Sequence, residues 1–294
     1  MALLRPFLVT VALALGAAPG PQEQPATFRS ALRTVPIYAT VTDTKGRLVP
    51  GLARDDFEVR DEGGKVDLTV FESAVQPVSI VLMLDTSGSM TMQQDTIKQA
   101  AGQFLNGLLP GDRARIGSFN TKVRLGPADF TGDLDELRRV LREDLEYGNT
   151  TAVWDALHAG MDALAPHEGR RVVVMFTDGV DTNSRFSQKD LMSRARSQQL
   201  LVYAIALRSR VRGRSGLPPD PALRKVVEET GGGYFELNEW ENLSAAFSRA
   251  AAELHSLYVL GFNPQAMDGK VHKLEVTIKR PGIVARARKS YIAK

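Results

Sequence analysis

The sequence predicts an α/β fold: a doubly wound, mostly parallel sheet flanked by helices, inserted in a small β-domain built from both chain ends. Three observations lead there. Residues 79–84, 172–176 and 200–207 are nearly continuous apolar runs, as strands buried on both faces of a parallel sheet must be. Between them apolar residues recur every three or four positions, the period of a helix with one buried face. Outside this central stretch the pattern reverts to short alternating runs broken by Gly, Asp and Pro, as half-buried antiparallel strands require.

In chain order, residues 1–20 read as a cleaved signal peptide. A positive start at Arg5 precedes an uncharged stretch over 7–18, and small residues follow at Ala17, Ala18 and Gly20. That stretch falls short of the roughly 20 apolar residues a spanning helix needs, and no later run reaches that length. The expected location is therefore secreted or periplasmic, without stable membrane insertion. Residues 21–75 form an N-terminal β-segment, with strands at 36–41, 57–60 and 66–71 separated by turns at 43–46 and 61–64.

Residues 76–255 carry the α/β alternation. One helical stripe holds Ile97, Ala101, Phe104 and Leu108, and a second holds Leu134, Leu137, Leu141 and Leu145. Val153, Leu157, Met161 and Leu164 mark a third, and Leu243, Phe247, Ala250 and Leu254 a fourth. Right-handed crossovers then place helices on both faces of the sheet. Residues 256–294 return to strands at 257–262, 274–278 and 285–292, with Pro281-Gly282 as a turn. A lone hairpin is marginal in water, so this segment is expected to pack with the N-terminal one.

Composition narrows the chemistry. With 43% apolar and 24% charged residues, the 294-residue chain has the makings of an ordinary core, which excludes disorder and a multi-span membrane protein. A net charge of +3 gives no bulk attraction for nucleic acid, and none is expected as partner. The absence of cysteine removes disulfides, thiolate zinc sites, iron–sulfur clusters and cysteine nucleophiles together. Any metal must be held by oxygen or histidine.

The first apolar run leads into Asp85-Thr86-Ser87-Gly88-Ser89. Loops leaving the carboxyl ends of parallel strands share one rim of an open sheet, where ligands bind. Two other loops on that rim are Gly148-Asn149-Thr150-Thr151 and Thr177-Asp178-Gly179. Asp85, Ser87, Ser89, Thr151 and Asp178 can therefore converge as two carboxylates and three hydroxyls. This all-oxygen set suits a hard divalent cation, Mg2+ first, with Mn2+ or Ca2+ possible. Direct hydroxyl ligation would leave the ion positive and open to a carboxylate from outside.

These residues resemble the metal-ion-dependent adhesion site of von Willebrand factor A domains. Asp85, Ser87 and Ser89 fit the family's D-x-S-x-S, Thr151 its lone threonine, and Asp178 the aspartate of its third loop. The resemblance covers about 180 residues and implies that the hydroxyls coordinate the ion, that the aspartates act mostly through water, and that a partner protein's Asp or Glu completes the shell. Thr150 is the alternative to Thr151. The β-segments at the two ends are similar to those of bacterial exported proteins carrying such a domain, and a glycan on Asn149-Thr150-Thr151 would crowd the rim, which also favours a bacterial origin.

Other readings stay in view. Asp85 and Ser89 could simply cap a helix, but that leaves Asp178 without a role. No G-x-S-x-G elbow surrounds the serines, and His158, His167, His255 and His272 fall in helices, turns or the β-tail, so a hydrolase is the least favoured reading and no enzyme is expected. A structural or assembly scaffold, stiffened by the metal, is the main alternative to a binding module. Arg208, Arg210, Arg212 and Arg214 follow the third apolar run and could border the rim for an acidic partner; otherwise they form a solvated loop. The tail from Lys270 carries eight Lys or Arg against Glu275 alone, a pattern expected of wet strand faces.

Overall fold

The three apolar runs form strands and the four helical stripes form helices, with further strands and helices between them. The structure, a computed structural model, describes residues 34–208, 220–238 and 240–294. The leader expected at 1–20, together with Arg210, Arg212 and Arg214, lies outside the described residues. The chain enters through β1 (Val35–Asp43), β2 (Phe57–Asp61), β3 (Gly64–Val66) and β4 (Val70–Glu72). The alternation then runs β5 (Val78–Asp85), α1 (Gln94–Asn106), β6 (Arg113–Phe119), β7 (Val123–Thr131), α2 (Leu134–Glu143) and α3 (Val153–Leu164). It continues with β8 (Arg170–Thr177), α4 (Gln188–Ser197), β9 (Leu201–Leu207), α5 (Pro221–Thr230), β10 (Tyr234–Leu237) and α6 (Leu243–Leu254). The end is β11 (Tyr258–Phe262), β12 (Val271–Ile278), β13 (Ile283–Arg286) and β14 (Ser290–Ile292).

The central sheet has the order β10-β9-β8-β5-β6-β7 and is parallel except for β7. Successive residues of a strand face opposite sides, so Ile80, Leu82 and Leu84 pack under α1 and α6 while Val81 and Met83 pack under α3. All five are fully buried. Each such side chain contributes about 2 kcal/mol by leaving water, which explains why the apolar run is continuous rather than alternating.

The chain ends build two four-stranded antiparallel sheets, β13-β1-β11-β4 and β14-β12-β2-β3. Ile37, Val59, Leu260 and Leu274 belong to the core that these strands share. Each sheet contains strands from both chain ends, so neither end can complete it alone.

Two expected strands are corrected. The stretch 66–71 is split between β3 and β4, which lie in different sheets, and 285–292 is likewise split between β13 and β14. In both places the chain crosses between sheets, and an alternating pattern of side chains does not register which sheet each half joins. Two helical stripes also overrun their helices: α1 stops at Asn106 before Leu108, and α2 at Glu143 before Leu145. Among the described residues no helix is long and apolar enough to cross a membrane.

Candidate metal centre

The order of the central sheet creates the site. From β5 the chain moves to β6 and β7 on one side, and later to β8, β9 and β10 on the other. Loops leaving β5 and β8 therefore diverge above two adjacent parallel strands, a switch point where an open sheet leaves a crevice. Asp85 ends β5, and Asp178 follows the last residue of β8.

A chain of hydrogen bonds links four of the five expected residues. Asp85 Oδ2 accepts from Thr177 Oγ1 at 2.6 Å, and its Oδ1 accepts from the Ser87 N–H at 2.9 Å. Ser87 Oγ lies 3.1 Å from Ser89 Oγ, which donates to Asp178 Oδ1 over 2.9 Å. Thr151 is buried against Gly179, where an added Cβ would come within 3.3 Å of the Thr151 Oγ1. Its hydroxyl makes no hydrogen bond among the described residues. The Thr150 hydroxyl, by contrast, is engaged with Thr121 Oγ1 at 2.9 Å.

The electrostatics of this arrangement favour a cation. Asp85 is fully buried, and that burial pushes its carboxyl up to about 6 despite hydrogen bonds from Ser87 and Thr177; the nearby Asp178 charge adds to the rise. Burial also raises Asp178, against the pull of the Ser89 hydroxyl. Among the described residues neither acid has an ion-pair partner, so two desolvated carboxylates share a site with hydroxyl oxygens and no positive charge. Oxygen-only donors of this kind fit a hard divalent cation. Nowhere among the described residues do three His, Cys, Asp or Glu gather to form a competing centre.

Helix capping does not account for these side chains. The short 3-10 turn Gly88–Gln93 starts after Ser87 without a side-chain cap, and α1 likewise starts without one.

The family follows from the chain itself. A model of the von Willebrand factor type A domain matches residues 79–249. This chain belongs to that family. The matched span starts in β5 and ends in α6, so the type A domain comprises the central sheet and its helices, and the strands of the two outer sheets fall outside it. No curated protein sequence matches the chain. Among solved structures, a von Willebrand factor type A protein from Catenulispora acidiphila is similar over 91% of this chain and 65% of its own, at 13% identity and a TM-score of 0.54. Proximal thread matrix protein 1 from the mussel byssus, with a zinc-occupied MIDAS motif, is similar over 65% of this chain and 48% of its own, at 16% identity and a TM-score of 0.52. A variant of the PilB minor pilin from Streptococcus sanguinis is similar over 63% of each chain, at 14% identity and a TM-score of 0.50. At these identities the likeness is one of fold, and this chain spans less than two thirds of each of these proteins.

Several residues that hold the type A rim in place escape a reading of the sequence. Thr177 orients Asp85 and also accepts from the Gly179 N–H at 3.1 Å. Asn120 donates to Thr86 Oγ1 at 3.1 Å and to the Glu146 carbonyl at 2.8 Å, tying the first loop to the second. Gly148 leaves room for it, since a Cβ there would stand 2.6 Å from the Asn120 side chain. The third loop holds the second: Asp181 accepts from the Val153 N–H at 2.8 Å and Ser184 Oγ from the Trp154 N–H at 3.0 Å, covering the open start of α3. Recognising Asn120 requires recognising β6, and Arg113 and Arg115 interrupt the apolar run that would have revealed it.

Arg208 is the one described member of the expected basic rim. It is exposed, yet its guanidinium pairs with Glu236 at 2.6 Å, as does that of Arg224. The pairing has a simple cause: β10, a strand the apolar pattern did not reveal, runs beside β9 and brings the acid.

Proposed function

We propose that the chain is a divalent-cation-dependent protein-binding module of an exported protein, for adhesion or assembly. Asp85, Ser87, Ser89, Thr151 and Asp178 hold the ion, with Mg2+ preferred and Mn2+ or Ca2+ able to substitute. The observation that carries this reading is the pair of buried, unpaired carboxylates joined through two serine hydroxyls. A bound divalent cation would neutralise them and offer one coordination position to a carboxylate from a partner protein. The zinc-occupied motif of the byssus protein and the pilin origin of another neighbour support the same reading. Binding rather than catalysis is favoured because Ser87 and Ser89 bond to each other and Ser89 to Asp178, whereas His255 pairs with Asp112 and His158 stacks on Phe186. In this reading residues 1–20 are a cleaved leader, residues 76–255 are the type A unit, and 21–75 and 256–294 form its β-support. The location is secreted or periplasmic in a bacterium.

Manganese makes an incisive probe, because exchangeable water on the ion is visible in solvent proton relaxation. The wild-type chain should enhance relaxation with Mn2+ and lose the enhancement when a soluble Asp-containing peptide is added. Asp85→Asn should remove the binding. A site that binds Mn2+ without exchangeable water would instead favour the scaffold reading, in which the metal only stiffens the rim.

A further inference from the structure

Met92 and Val180 stand on two loops that the site itself ties together. Seven large apolar side chains are exposed among the described residues; Met92, at 88%, is the most exposed of them, and Val180 is 43% exposed. Single exposed apolar residues are ordinary on a protein surface. These two are not scattered. Met92 follows Ser89 by three residues and Val180 follows Asp178 by two, and Ser89 Oγ donates to Asp178 Oδ1 over 2.9 Å. At ~3.8 Å per residue, both backbones lie within about 12 Å of that bond, a distance that a few residues of extended peptide would cover.

The local backbone explains why Met92 points outward. Met90, two residues earlier in the 3-10 turn, is fully buried in the core under α1, and one turn cannot bury both. Methionine suits such a place, because its unbranched thioether adapts to apolar surfaces of different shape. Arg208, on the loop after β9, is already paired with Glu236, so its charge is committed within the chain.

Resting on the metal-centred reading, we infer that the partner presents its carboxylate from an apolar context: a linear segment in which an Asp or Glu is flanked by large apolar residues that cover Met92 and Val180. The acid satisfies the ion, and its neighbours remove the two exposed side chains from water. A segment with charged neighbours would have to place them against Met92 and Val180, whose side chains offer no polar partner.

The test selects from a displayed library of random linear heptapeptides on the immobilised full chain in magnesium, eluting with chelator. Chelator-eluted peptides should carry an acid with an apolar residue beside it, and the best of them should bind the Met92→Ser/Val180→Ser double variant on the order of tenfold more weakly. Acid-bearing peptides with no apolar preference, or equal binding to the double variant, overturn the inference and leave the metal reading standing. A selection that yields no acid-bearing peptide on chelator elution removes both.

Discussion

At the scale of single residues, Asp85 carries a stability cost that the proposed cation would offset. Its carboxyl titrates near 6 in the folded chain against an ordinary 3.8. Between those values the metal-free folded state holds the extra proton, so stability falls as pH rises from about 4 to about 6 and stays lower above. The cost at neutral pH is of order 2–3 kcal/mol. Asp85→Asn removes the charge and keeps the shape, with its amide free to donate to Thr177 Oγ1. Thermal unfolding in chelator at pH 7.5 should therefore show the variant melting above the wild type, with a weaker pH dependence between 4 and 6. An unchanged or lower melting temperature would show that the buried charge is not costly.

At the scale of elements, the rim is rigid because one loop caps the helix of another. The start of α3 has no cap of its own, since Ala152 at that position has no side-chain acceptor. Asp181 and Ser184 supply it from the loop after β8, and the Thr182 N–H donates to the Thr151 carbonyl at 2.8 Å. In return Asp155 of α3 accepts from the N–H groups of Arg185 and Phe186, at 2.8 and 3.1 Å. Fixing Thr151 and Asp178 thus amounts to fixing one loop pair. Asp181→Ala should cost about 1 kcal/mol in urea unfolding, the usual value of a helix cap. It should also weaken magnesium binding in calorimetry although Asp181 is outside the proposed ligand set. Unaltered metal affinity would mean the loops are set independently.

At the scale of the whole molecule, the type A unit and the outer β-sheets share buried charge. Glu253 of α6 is 1% exposed and pairs with Arg286 of β13; Arg249 approaches it at 3.4 Å from an exposed position. Arg286 also donates to Thr40 Oγ1 of β1 at 3.2 Å and to the Gly231 carbonyl at 3.3 Å. Nearby, the buried Arg170 donates to the Leu254 carbonyl at 2.6 Å and lies over the Tyr38 ring. Gly231, at φ +84°, closes α5 where a Cβ would come 2.4 Å from the Arg288 nitrogen, so the tail passes against that helix end. Removing one partner of a buried pair leaves an uncompensated charge. Arg286→Ala should accordingly destabilise by about 3 kcal/mol in denaturant titration, whereas Arg249→Ala should cost less than about 1 kcal/mol, as an exposed pair does. Equal effects would place the Glu253 charge in water rather than at a closed junction.

The sequence by itself determined β5, β8 and β9 of the central sheet and pointed to the loops that carry all five proposed ligands. Short continuous apolar runs alternating with helical stripes suit strands buried on both faces of a parallel sheet, and a D-x-S-x-S leaving the end of one then lies on the sheet's ligand-bearing rim. Tertiary structure alone decided which side chains hold those ligands, which sheet each short terminal strand joins, and that Arg208 is neutralised. Thr177, Asn120 and Asp181 bond to partners 26 to 92 residues away in the chain. Polar residues in loops have no periodicity, so their partners exist only once the strands have set the loops side by side.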